Sequence, residues 1–205
     1  MGSNKLKPPE SSKTLFLPRF RKLFLDPVRK KHHNLRYDIV RDLIQECGRN
    51  ILDVGCGAPA RCMRPGSFLR KLGYGKGIDI IQWDIEFDFC VGDIRNIPFA
   101  DAEFDAVTAI EVIEHLPEPS VALHEIHRVL KKDGVFVVTT PNNNIIFSTL
   151  WWIWERSFGD EWKHDHLVTY NKKEWLKIFA QEDLFRAEKI LDYWGISLIV
   201  KLRKI

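Results

Sequence analysis

From Asn34 onward, Leu35, Ile39, Leu43 and Cys47 recur every four residues, the spacing of one apolar helix face. Asn34 stands as its N-cap and Gly48 as its stop. Short apolar runs then alternate with helix-spaced segments. Residues 50–54, 76–80, 88–91, 104–110 and 134–140 read as strands, and 66–72 and about 119–130 as helices. Buried runs separated by helices predict a parallel sheet covered on both faces. Further on, 143–154 looks helical and brings Trp151, Trp152 and Trp154 together, with Trp162 nearby. At helical spacing such a stripe serves as core or as an aromatic lid. Asn171 and Glu174 are placed as a capping box for another helix. Residues 187–194 and 196–204, joined at Gly195, read as a β-hairpin.

Length and composition narrow the class. With 205 residues, 45% hydrophobic and 29% charged, the chain has the size and balance of one globular domain. Its apolar runs are far shorter than the 18 or so residues of a membrane span, and no secretory signal is expected. Cys47, Cys56, Cys62 and Cys90 form no CxxC pair and read as reduced thiols, so a cytoplasmic protein is expected.

Charge is unevenly spread. Residues 1–36 carry ten Lys or Arg against Glu10 and Asp26, a balance of +8, while the other 169 residues carry 21 basic and 26 acidic side chains, a balance of −5. Four prolines fall within residues 1–33, which read as a basic arm attached to a domain at 34–205. A basic-aromatic cluster at 16–25 could lie along a surface. The arm is either a solvated tail or a contact for nucleic acid or an anionic membrane, which would make the protein peripheral to that membrane.

The chemistry-bearing residues sit at strand ends. Ile51-Leu52-Asp53-Val54-Gly55-Cys56-Gly57 closes the first strand and opens a glycine turn, where backbone can approach a ligand at the carboxyl edge of a parallel sheet. The dinucleotide fingerprint fails, because position 60 is alanine. Asp79 ends the second strand, where a carboxylate can accept two ribose hydroxyls. Asp93-Ile94 follows the third, where Asp can take an adenine amino group and Ile can pack on the ring. Each residue is also what an ordinary turn glycine or capping Asp would look like.

Over residues 35–205 the chain resembles the class I S-adenosylmethionine-dependent methyltransferases, in the group that includes the ubiquinone-biosynthesis O-methyltransferases. The resemblance is carried by LDVGCG (52–57), GIDI (77–80), VGDIRNIPFADAEFDAV (91–107), IEVIEHL (110–116) and HRVLKKDGVFVVTTPN (127–142). It implies a three-layer α/β Rossmann-like fold with a mostly parallel seven-stranded sheet and one antiparallel strand in a C-terminal hairpin. S-adenosyl-L-methionine is the implied cofactor. Asp53, Gly55 and Gly57 would meet its methionine and ribose, Asp79 the ribose, Asp93 and Ile94 the adenine, and Ile110 and Glu111 the floor beneath the methionine. One departure is Ala58-Pro59 where the family often has a further glycine. Proline there removes an N–H and redirects the loop, and Arg61 and Arg64 beyond it are either solvated or face an anion.

At the reacting end, Glu111, Glu114 and His115 stand at i, i+3 and i+4, so a helical turn would put them on one face. His164-Asp165-His166 precedes the later helix. Glu114, His115 and His166 are the candidate catalytic groups, able to move a hydroxyl proton. Glu111, Glu114, His115 and His166 together could instead hold Mg²⁺ or Mn²⁺, a set resembling the metal site of small-RNA 2′-O-methyltransferases. The leading expectation is methylation of a hydroxyl on a small-molecule acceptor, apolar or aromatic if the tryptophans form a lid. The alternatives are an RNA 2′-O-methyltransferase with a Glu/His metal site and a non-catalytic cofactor-binding protein. Nothing in the sequence sets the oligomeric state.

Overall fold

The computed structural model describes residues 26–57, 63–144, 170–193 and 195–205. The elements run α1 (Asp26–Ile44), β1 (Ile51–Val54), α2 (Ser67–Leu72), β2 (Lys76–Asp79), β3 (Asp88–Val91), β4 (Phe104–Ile110) and α3 (Pro119–Val129), then β5 (Leu130–Pro141), α4 (Lys172–Phe179), β6 (Phe185–Tyr193) and β7 (Ser197–Lys204). One seven-stranded sheet has the order β3-β2-β1-β4-β5-β7-β6. β1 to β5 are parallel, and β7 runs antiparallel to both of its neighbours. The expected fold is the one found.

Period-2 alternation divides the core between the two faces of the sheet. Val135 and Val137 of β5 pack with Val40 and Ile44 of α1 and Phe68 of α2. Phe136 and Val138 pack on the opposite side with Ala122 and Ile126 of α3 and Trp175 and Phe179 of α4. With helices on both faces, the open edge of the sheet lies at the carboxyl ends of β1, β2 and β4. The reversal of strand order between β1 and β4 makes this edge the place where such sheets bind ligands.

The helix α4 begins as expected. The Asn171 side chain accepts from the N–H groups of Lys173 and Glu174, and Glu174 accepts from the Asn171 N–H at 2.8 Å. Strand β5 is longer than its β-branched run, because polar Lys131–Asp133 hide a pairing of Leu130 with Phe104 across a register shift.

The first helix departs most from expectation. It starts by Asp26 rather than Asn34, so the expected arm–domain boundary at 33/34 falls inside it. Its buried residues are Arg36, Tyr37, Val40, Leu43 and Ile44, whereas Leu35 is 40% exposed. The buried face keeps Leu43, with Ile39 and Cys47 at its margin, but is turned away from Leu35 because a charged side chain, Arg36, occupies a core position. The expected helix at 143–154 falls almost wholly outside the described residues. So do the four tryptophans 151, 152, 154 and 162, Pro59, Arg61, and residues 164–166.

This placement has a direct test. Ile44→Ala should cost about 2–5 kcal/mol in denaturant unfolding, while Leu35→Ala should stay within about 0.5 kcal/mol. The reverse ranking would restore the sequence-derived face.

Candidate functional site

The site is built from the turn after β1 upward. Asp53, on β1 between Gly77 of β2 and Thr108 of β4, is buried and accepts a hydrogen bond from the Thr108 hydroxyl at 2.7 Å. Burial pushes its pKa up to about 7, with the Thr108 hydrogen bond opposing and the Asp79 charge adding to the rise. Such a carboxyl gains most from a cation brought beside it. The N–H groups of Gly55 and Cys56 both donate to the Ile78 carbonyl, at 2.8 and 3.1 Å. Gly55 takes φ +68°, and a Cβ there would sit 2.4 Å from Val112 Cγ2. Only glycine suits this turn.

Asp79 closes the ring. Gly57 N–H donates to its Oδ2 and Ile81 N–H to its Oδ1, both at 2.9 Å. Each carboxylate oxygen keeps a further lone pair for a ligand hydroxyl. Beside it the Trp83 Nε1–H is buried and has no partner, and a Cβ on Gly57 would lie 2.6 Å from both that nitrogen and Asp79 Oδ2. A small open cleft lies over the turn, lined by Tyr37 of α1, Ser67 and Phe68 of α2 and Ile110 of β4.

The floor at the end of β4 is charged. Glu111 has φ +57°, a left-handed conformation that costs a non-glycine residue roughly 1–3 kcal/mol unless its surroundings hold it. Its N–H donates to the Thr139 carbonyl at 3.0 Å, and its carboxylate accepts from the Thr139 hydroxyl at 3.0 Å. Arg36 Nη1 reaches the same carboxylate at 2.9 Å, with only 2% of the arginine side chain exposed. Arg36 Nη2 contacts His33 Nδ1 at 2.6 Å, and the buried Arg36 Nε has no partner. Glu114 is wholly buried, and neither carboxyl oxygen is hydrogen-bonded. Burial first, then the Glu111 charge, raises its pKa well above the ordinary carboxylate value. The Thr140 hydroxyl is near enough to favour the charged form of Glu114 but lies outside hydrogen-bond geometry.

The structure therefore brings Glu111 and Glu114 together without His115. The left-handed turn at Glu111 interrupts the chain, and a short 3₁₀ turn over Ile113–His115 replaces the helical turn that would have shared a face. Glu114 points inward and His115 is exposed. Among the described residues no group of three or more His, Cys, Asp and Glu side chains is arranged to hold a metal, and His166 lies outside them.

Asp93 caps its own turn. It accepts from the Arg95 N–H at 2.8 Å and from Arg95 Nε and Nη2 at 3.0 and 2.6 Å, and the Arg95 pairing lowers its pKa. The Ile94 side chain is 6% exposed and belongs to the core with Val54 and Ile78. Open apolar surface beside Asp79 comes instead from Ile80 and Ile81, 70% and 53% exposed. Two apolar residues directly after a strand-ending acid were the available sequence signal. Arg36, Tyr37, Ser67 and Phe68 had none, since each looks like an ordinary helix residue.

Residues 52–138 match the family described as the methyltransferase domain. Residues 52–138 thus form a methyltransferase domain, similar to those of the class I S-adenosylmethionine-dependent enzymes. Its relatives include the ubiquinone biosynthesis O-methyltransferase of Neisseria meningitidis, 30% identical over 124 residues that cover 54% of this chain and 51% of that one. A sterol 24-C-methyltransferase of Eremothecium gossypii is 36% identical over 112 residues, covering 44% and 28%. The chain spans about half the length of the ubiquinone-pathway relatives. A solved protein from Pyrococcus horikoshii shares the fold with a TM-score of 0.65 at 20% identity, covering 91% of this chain and 99% of that one. The geranyl diphosphate C-methyltransferase of Streptomyces coelicolor does so at 0.61 and 14%, covering 84% and 78%, and was solved with S-adenosyl-L-homocysteine.

This methyltransferase domain has donors and acceptors of the kind its cofactor needs. Asp79 and the orphaned Trp83 N–H suit a ribose, Ile80 and Ile81 suit a flat ring, the buried Asp53 suits an ammonium, and the orphaned Arg36 Nε suits a carboxylate.

The imidazole under Arg36 makes a pH prediction. Burial first, then the charges of Arg36, His32 and Arg29, lowers the His33 pKa to about 3. The unfolded chain binds a proton near pH 6.5 that the folded chain refuses, so this group's contribution is complete above pH 6.5 and is lost as pH falls toward 3. Asp53, with its pKa raised, acts in the opposite sense, so the comparison is made between variants. Wild type should lose up to about 1.4 kcal/mol per pH unit relative to His33→Asn below pH 6.5, measured by urea unfolding between pH 7 and pH 5. Parallel curves would contradict the assignment.

Proposed function

We propose that the protein transfers a methyl group from S-adenosyl-L-methionine to a hydroxyl of a small apolar or aromatic acceptor. The observation that carries this reading is the Asp79 carboxylate, held by one N–H from each of two strand-end loops, beside a floor where Arg36 balances Glu111. The cofactor, when bound, supplies the methyl group on a positively charged sulfur. The chain's residues bind, orient and exclude water, and such alignment is the larger part of catalysis for an in-line displacement. Asp79 holds the ribose between the Gly57 and Ile81 loops. Arg36 and Asp53 take the two charges of the amino-acid end. Glu114, wholly enclosed and with its pKa raised by burial, is badly placed to take the acceptor's proton. That role falls to exposed His115 or to His166. The acceptor class is supported by relatives named for ubiquinone, a fatty acid and a phytyl hydroquinone.

Calorimetry with S-adenosyl-L-methionine checks the reading. Wild type should bind, and Asp79→Ala should weaken binding about 10- to 100-fold by removing a charged acceptor. A wild-type protein that does not bind would refute it.

We also propose that the basic arm meets an anionic lipid surface, which would bring a lipid-like acceptor to the site. Val28, Lys31 and Leu35 lie along one exposed side of α1, and the basic-aromatic run at 16–25 leads into that helix. Apolar side chains among lysines suit an interface of anionic headgroups. Among the described residues no helix is long and apolar enough to cross a membrane. The full chain should co-sediment with phosphatidylglycerol vesicles at 50 mM salt and be released at 500 mM. Equal retention on phosphatidylcholine would argue against the charge-based contact.

A further inference from the structure

The Arg36–Glu111 pair is held from a side that the cofactor reading does not use. Arginine has five N–H donors and no acceptor, so the 2.6 Å contact between Arg36 Nη2 and His33 Nδ1 requires the histidine nitrogen to accept. The ring proton then sits on Nε2. His33 lies one turn before Arg36 on α1, and its ring leans on Tyr37, with centroids 6.4 Å apart. Tyr37 in turn packs on Phe68 of α2 at 5.6 Å. The imidazole is wedged in place, and it presents its lone pair to the guanidinium.

That second anchor changes what the buried arginine can do. A guanidinium tied at Nη1 alone can pivot about that contact. Tied at Nη1 by Glu111 and at Nη2 by His33, its plane is set, and its orphaned Nε is set with it. Beyond Glu111 the chain of contact continues. Val112, the next residue, is the side chain packed against Gly55, whose turn cradles the site. A displacement of Glu111 therefore reaches the Gly55 turn through one residue.

We propose that His33 is a positioning residue for the cofactor site, its Nδ1 fixing the Arg36 guanidinium so that Glu111 and the Val112–Gly55 contact keep a single arrangement. The proposal rests on the methyltransferase reading for its consequence and on the His33–Arg36–Glu111 geometry for its cause. His33 itself touches neither cofactor nor acceptor. It lies outside the residues that match the methyltransferase family, on the helix that closes over the turn.

Two variants of the full chain test it, with S-adenosyl-L-homocysteine as the calorimetric probe. His33→Ala deletes the acceptor and should weaken binding about tenfold, the scale of one hydrogen bond to a charged group. His33→Asn places an amide oxygen near the position of Nδ1 and should stay within about threefold of wild type. A general loss of packing would instead weaken both variants in step with their melting temperatures. Amide exchange at residues 111–113 supplies a readout that needs no ligand. His33→Ala should speed it about tenfold, and His33→Asn should leave it near wild type. Unchanged exchange and affinity in His33→Ala would overturn the proposal, as would equal losses in both variants. A wild type that fails to bind the probe would sink the methyltransferase reading instead, and the exchange data would still decide whether His33 positions the turn.

Discussion

The buried ion pair between Arg36 and Glu111 is the constraint on which the rest of the site depends. Charges of opposite sign brought out of water are tolerated only when they meet with good geometry and when the remaining donors and acceptors are served. Here the carboxylate also accepts from Thr139 and the guanidinium also reaches His33, while the Arg36 Nε–H is left without a partner. Removing one partner of such a pair leaves an uncompensated buried charge, typically at a cost of about 3–5 kcal/mol. The pair therefore does two jobs. It offsets the left-handed backbone at Glu111, and it fastens α1 across the sheet edge where the cleft opens.

That fastening explains why the cleft has a wall on its α1 side. The family match begins at Leu52, within β1, yet Tyr37 of α1 lines the space above Gly55. The sheet supplies carboxylates at its strand ends, because parallel strands all deliver their carboxyl ends to one edge. The helix supplies the opposing charge. Neither half is a site alone: the sheet edge would present uncompensated acids, and α1 would carry a buried arginine with no anion.

Much of this was legible beforehand, and the legible part follows from local physics. The five parallel strands announced themselves as apolar runs, the glycine turn as a position where side chains cannot go, and Asp79 as an acid at a strand end. The capping box at Asn171 and Glu174 depends on four consecutive residues and appeared as read. What failed to show was long-range. The period of Leu35, Ile39, Leu43 and Cys47 found Leu43 but put Leu35 in place of Arg36, because no hydropathy pattern marks an arginine as core until its glutamate, 75 positions away, is known. The grouping of Glu111, Glu114 and His115 assumed a regular helix. A single left-handed residue broke that geometry.

The same long-range pairing alters the meaning of the two glutamates. Spaced as they are, they look like equivalent acids available for proton transfer or metal binding. In the fold they diverge, because one has a buried cation and the other has none. The Arg36 guanidinium lies 2.9 Å from the Glu111 carboxylate. Glu114 is shut in beside that neighbour with no hydrogen bond to its oxygens, and burial, then the Glu111 charge, raises its pKa. Two carboxyls in such different environments are suited to different tasks. The division of labour at this floor is thus decided by a helix that precedes the family match, which is why the motif residues alone could not assign it.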